Sequence, residues 1–199
     1  MIYTQTVSTT LLNTLWPSQS IQKTILVAFL TSMIFWLSAK VQVMLVPVPV
    51  TLQGYAVLVS AALLGRRLAF LAVLTYLIEG ALGLPVFAGT PEKGIGLAYM
   101  VGPTGGYLLG FLIAATIVGW FADHSWDRNW FKSLIMMSVG QAIIFTLGLI
   151  WLSQFLGWQG ALTHGFMPFW KIDLTKMILA VSTPPLIWSI FSFFKKKTP

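Results

Sequence analysis

Residues 24–46 contain a single charged side chain, Lys40. A helix needs about 20 mostly apolar residues to cross the hydrocarbon core of a bilayer, so this run is long enough to span one. It ends at Val46-Pro47-Val48-Pro49, where proline removes backbone donors and stops a helix. Five further helical runs are read at about 51–64, 68–83, 104–122, 131–155 and 172–194. Charged residues make up only 9% of the chain, against about a quarter in a soluble domain. A chain of this size with so few charges cannot cover a globule with solvated side chains, and lipid becomes the natural solvent. The pattern predicts an all-α integral membrane protein. It forms one membrane domain over 1–199, a bundle of six transmembrane helices after a polar segment at 1–22.

The runs at 51–64 and 68–83 are shorter than a typical span. They are expected to be buried in the bundle or bordered by irregular backbone. Residues 84–103 are rich in glycine and carry Pro85, Pro91 and Pro103, which predicts a long structured loop. A polar turn is expected at 123–128, a loop at 157–168, and a kink at Pro184-Pro185. The first twenty residues lack the basic start and short apolar core of a cleavable signal, so none is expected. Threading the runs from an inner N-terminus puts Lys23, Arg66, Arg67, Arg128, Lys132, Lys195, Lys196 and Lys197 on one side. Those are eight of the twelve basic residues. Basic residues concentrate in cytoplasmic segments, which predicts both termini inside.

Several functions are disfavoured. The net charge is +7, but the basic residues sit at the ends of apolar runs. They read as topology signals, and no nucleic-acid partner is expected. Cysteine is absent, which removes disulfides, thiolate metal sites and a cysteine nucleophile. No HExxH, GxSxG or P-loop is present. His164 stands alone in a loop, so no metal, no cofactor and no enzymatic activity are expected. Energy for transport would come from a gradient or a partner.

An ionisable residue at the centre of a membrane helix costs about 2.5–3.5 kcal/mol on insertion scales, so each marks a candidate site. With the orientation above, Lys40, Gln42, Gln53, Glu79, Asp173 and Lys176 all fall near the outer ends of their helices. That convergence predicts a pocket opening outward, covered by loop 84–103. Each residue also has a structural reading. Asp173 and Lys176, spaced i,i+3, can pair with each other. Lys40 can snorkel to the interface. Glu79 can pair with Lys40, and Gln141 can serve as an interhelical hydrogen bond. Gly102, Gly105 and Gly106 are expected to let backbones pack closely.

Three motifs then stand in order: Pro49-Val50-Thr51-Leu52-Gln53; Gly83-Leu84-Pro85-Val86-Phe87-Ala88-Gly89; and Gly102-Pro103-Thr104-Gly105-Gly106-Tyr107-Leu108-Leu109-Gly110-Phe111. With Asp173-Leu174-Thr175-Lys176 they resemble the BioY family, the biotin-binding S components of energy-coupling factor (ECF) transporters. The resemblance implies a six-helix S-component fold and a pocket near the outer surface. It implies a transmembrane coupling subunit and two ATPase subunits as partners, in the cell membrane of a prokaryote. Partner docking is expected at small residues of the first helix, here Ala28 and Ser32. Ligand residues are expected to be Asp173, Lys176, Gln53, Phe87, Gly89 and Tyr99, with Lys40 and Glu79 either binding ligand or pairing. In this scheme Asp173 accepts from the ureido N–H groups, Gln53 serves either side, and Lys176 or Lys40 meets the valerate carboxylate. Phe87 and Tyr99 supply apolar walls. The rival readings are an S component for another vitamin, an intramembrane enzyme, and a purely structural membrane subunit.

The topology is directly measurable, because the chain has no native cysteine. A cysteine placed at Glu92 should react with a membrane-impermeant thiol reagent in intact cells. Protection at that position until the membrane is permeabilised would reverse the orientation.

Overall fold

The structure, a computed structural model, describes residues 10–17, 20–43, 45 and 47–197, with side chains as far as Phe194. Residues 1–9 of the predicted polar segment, Val46 at the end of the first apolar run, and the side chains of Lys195, Lys196 and Lys197 lie outside the described residues. The elements in chain order are α1 (Leu11–Leu15), α2 (Ile21–Lys40), β1 (Gln42–Val43), β2 (Val50–Thr51), α3 (Gln53–Leu64), α4 (Arg66–Ala81) and α5 (Gly96–Met100). They continue with α6 (Gly105–Asp123), a 3-10 turn (Trp126–Arg128), α7 (Trp130–Gly165) and α8 (Trp170–Lys197). Among the described residues, four helical stretches are long and apolar enough to cross a membrane: Ile21–Lys40, Gly105–Asp123, Trp130–Gly165 and Trp170–Phe194.

α6 is the hub, packing against α3, α4 and α7, while α2 lies on α4 and α8 on α3 and α7. Glycine sets the α6–α7 distance. A Cβ on Gly106 would lie 2.2 Å from Trp151 Cβ and 2.4 Å from the Leu147 carbonyl oxygen, and one on Gly110 would lie 2.9 Å from Ile144 Cα. Without a hydrophobic driving force between helices in lipid, such close backbone approach is a main source of association. The close packing expected for Gly106 is therefore present; a Cβ on Gly105 would lie 2.1 Å from the Met100 carbonyl oxygen, whereas one on Gly102 would meet only its own turn, 3.1 Å from the Tyr99 carbonyl oxygen. Buried alanines do the same elsewhere, among them Ala61, Ala62, Ala72, Ala114 and Ala122. The outward face of α2 carries exposed Phe29, Leu30, Ile34 and Leu37, an apolar surface suited to acyl chains.

The element boundaries correct two expectations. The first helix ends at Lys40, not at 46, and the chain continues as a β-hairpin in which Gln42 faces Thr51 and Val43 faces Val50. Alternating β-branched residues and two prolines favour extended backbone there. The break foreseen near 157 is present at Gly157 (φ 68°), but the following residues to Gly165 are helical where a loop was expected. α8 runs unbroken through Pro184 and Pro185. Pro185 has no N–H to offer the Val181 carbonyl, and Ser133 Oγ of α7 donates to that oxygen instead (2.8 Å), the kind of substitution that lets a membrane helix keep a proline.

Close contact at Gly106 has a measurable consequence. Gly106→Ala should lower thermal stability in detergent by an amount typical of overpacking, about 1–3 kcal/mol. Gly54→Ala is the control, since a Cβ there meets only Gln141 Oε1, at an ordinary 3.9 Å. Equal stability of the two variants would contradict the packing described.

Candidate functional site

The start of α3 is the floor on which the site is built. Gln53, its first residue, is only 4% exposed. Around it lies a cavity with a non-atom space of about 600 Å³, open solvent at the mouth included. α6 contributes Thr104, just before it, and Tyr107, Leu108 and Phe111, spaced i, i+3, i+4 and i+7 along one face. α7 adds Gln141, Ile144 and Phe145, and α8 adds Asp173 and Lys176 one turn apart. Val48 and Pro49 of the hairpin, Ala88 of the loop and Tyr99 of α5 complete the wall. The lining is mostly apolar with a few placed polar groups, the usual form of a small-molecule site.

Asp173 and Lys176 form an ion pair. Lys176 Nζ also donates to the Thr51 carbonyl (2.9 Å), and Gln141 Nε2 donates to Asp173 Oδ2 (3.3 Å). The structural readings of these three residues thus hold: the i,i+3 pair and the interhelical hydrogen bond are both present. All three nevertheless border the cavity. Behind the wall an aromatic series crosses the bundle. Phe35 meets Tyr76 edge-on at 6.0 Å, Tyr76 meets Phe87 edge-on at 5.4 Å, and Phe87 stacks on Tyr99 at 4.9 Å. Tyr99 OH donates to the Ala88 carbonyl (2.7 Å), and burial pushes this hydroxyl's pKa above its ordinary value.

The other expected residues take different positions. Phe87 stands behind Tyr99, at 1% exposure, so it backs the wall rather than lining the cavity. Gly89 (φ +72°) lies under the Lys93 side chain. Lys40 Nζ donates to the Phe87 and Thr90 carbonyls and to Thr90 Oγ1 at 3.1–3.2 Å. Lys93 Nζ donates to the Leu45 and Pro47 carbonyls. These two lysines tie loop 84–95 to α2 and to the hairpin. Glu79 Oε1 accepts from Ser32 Oγ (2.8 Å), joining α4 to α2. Ser32 is fully buried by this contact, and Ala28, one turn earlier, is 4% exposed. A large side chain at either position would meet the protein's own interior first.

Tyr107, Phe111, Phe145 and Phe169 were missed as lining residues. For the α6 group the signal was legible: 104, 107, 108 and 111 share one helical face within a motif already singled out. Phe169 carries no such signal, because its place depends on the helical turn after Gly157.

A helical membrane bundle enclosing an apolar cavity with one ion pair and two carboxamides defines a membrane protein that binds a small polar-headed molecule. The chain belongs to the BioY family, whose model matches residues 8–193. It is 41% identical over 143 residues to the biotin transporter BioY of Thermotoga maritima, covering 71% of this chain and 82% of that protein. It is 40% identical over 134 residues to the biotin transporter BioY2 of Lactococcus lactis, covering 66% of this chain and 71% of that one. The fold is similar to the crystal structure of the S-component for biotin from an ECF-type ABC transporter, with TM-score 0.73 and 25% identity over 86% of this chain and 95% of that one.

Proposed function

We propose that this chain is the substrate-binding component of a biotin uptake transporter in a prokaryotic cell membrane. The observation that carries the reading is the cavity lined by Gln53, Tyr99, Gln141, Asp173 and Lys176 in a chain of this family. Biotin offers two ureido N–H donors, a carbonyl, an apolar thiolane ring and tail, and a carboxylate. The amide and carboxylate oxygens suit the donors, the Lys176 ammonium suits the carboxylate, and Tyr107, Phe111 and Phe145 suit the rest.

The arrangement in the membrane follows from where charge sits. The cavity gathers the starts of α3, α6 and α8, whereas Arg66, Arg67, Arg128 and Lys132 lie at the opposite ends of the same bundle. With the basic end in the cytoplasm, both termini are inside, α2, α3, α4, α6, α7 and α8 make six crossings, and the cavity sits near the outer leaflet. The short α3 and α4 fit because their neighbours cover them. The chain has no catalytic role of its own; ATP hydrolysis belongs to two partner ATPase subunits, joined through a transmembrane coupling subunit.

Asp173→Asn keeps the shape of the side chain but replaces an acceptor by a donor and removes the charge. Lys176→Met keeps the stem and removes the cation. Each should weaken biotin binding about ten- to hundredfold, the effect of leaving one buried partner unpaired. Calorimetry on variants shown to be folded reads this. Wild-type affinity in both variants would move recognition away from the ion pair.

A further inference from the structure

Tyr76 of α4 does not touch the cavity, yet its hydroxyl controls what one cavity residue presents. The ring is fully buried between Phe35 and Phe87. Its hydroxyl lies 3.0 Å from the Val86 carbonyl oxygen and 2.7 Å from the Gln53 carboxamide. A tyrosine hydroxyl has one proton to give, and a backbone carbonyl can only accept. The proton therefore goes to Val86 O, and the Tyr76 oxygen accepts from Gln53. The atom of Gln53 that faces Tyr76 must be Nε2, which leaves Oε1 on the other side. There its hydrogen-bond contact is the Thr51 hydroxyl, at the long limit of 3.5 Å. Turning the amide over would set two acceptors against each other at 2.7 Å, or strip Val86 O of its donor in a dry interior. Either change leaves a buried polar group unsatisfied.

Gln141 follows the same logic. A carboxylate only accepts, so the Gln141 amine faces Asp173 Oδ2 (3.3 Å) and its carbonyl oxygen points away, toward Gly54 in the first turn of α3. Both carboxamides of the cavity thus show oxygen, not nitrogen, beside the start of α3.

We propose that Tyr76 is a positioning residue that fixes the polarity of the pocket: through Gln53 it presents a carbonyl oxygen to an N–H donor of the ligand. This rests on the biotin reading and assigns the ureido ring to the Gln53–Gln141 end, with the carboxylate toward Lys176. It also makes the pocket selective for a head group that donates, against an isosteric one that only accepts.

The test uses biotin and the two cyclic-carbamate analogues in which one ring N–H is replaced by oxygen. Affinities are measured on the purified full-length chain, with thermal unfolding as the fold control. The wild type should prefer biotin over at least one analogue by about a hundredfold or more, because that analogue sets oxygen against Gln53 Oε1. Tyr76→Phe releases the amide to rotate, and the preference should shrink about tenfold. Gln53→Leu should remove the preference outright, and adding Tyr76→Phe to it should change nothing further, since Tyr76 acts through Gln53. A full preference retained in either single variant overturns the assignment. So does an equal weakening of all three ligands in Tyr76→Phe, which would make Tyr76 a packing residue only. Failure of the wild type to bind biotin is a separate result and overturns the parent reading with it.

Discussion

An ion pair taken out of water holds the site together. Asp173 and Lys176 sit within the first two turns of α8, where an unpaired charge would be strongly unfavourable. Their satisfaction requires groups from other elements: the Thr51 carbonyl at the hairpin's end and the Gln141 carboxamide in α7. The pair therefore fixes α8 against the hairpin and α7 at the height where the cavity opens.

The same demand for hydrogen-bond partners explains the loops. Irregular backbone at membrane depth survives only where protein satisfies it. Here lysines do much of that, Lys40 for the Phe87 and Thr90 carbonyls and Lys93 for those of Leu45 and Pro47. Burial lowers the pKa of Lys93 from its ordinary value, the signature of an ammonium drawn partly out of solvent. Polar residues that look alike in the sequence thus divide into two sets. Asp173, Lys176, Gln53 and Gln141 face the cavity, while Lys40, Lys93 and Glu79 hold its surroundings in place.

That division marks the limit of what the sequence could show. Hydropathy placed the long helices, because the period and length of an apolar run are local properties. The i,i+3 spacing anticipated the ion pair, and the glycines of the 102–110 motif anticipated the tight α6–α7 contact. Boundaries depending on distant partners were less legible. Nothing local says that residues after Gly157 stay helical, or that Ser133 will supply the hydrogen bond Pro185 cannot make. Phe87 was expected as a ligand wall from the family resemblance, and Lys40 as either a ligand contact or a pairing residue. Only the three-dimensional arrangement shows that Tyr99 intervenes and that the Lys40 ammonium is occupied by carbonyls. The hairpin after Lys40 was hidden by a run of apolar residues that reads as helix until its prolines.

The cavity between α3, α6, α7 and α8 is the proposed place of biotin. An experimental structure of the chain with biotin bound tests it most directly. The ring system should lie beside Gln53 and Gln141, with the carboxylate within hydrogen-bonding distance of Lys176 Nζ and Tyr107 and Phe111 against the apolar part. Biotin bound elsewhere, with this cavity empty, would contradict it.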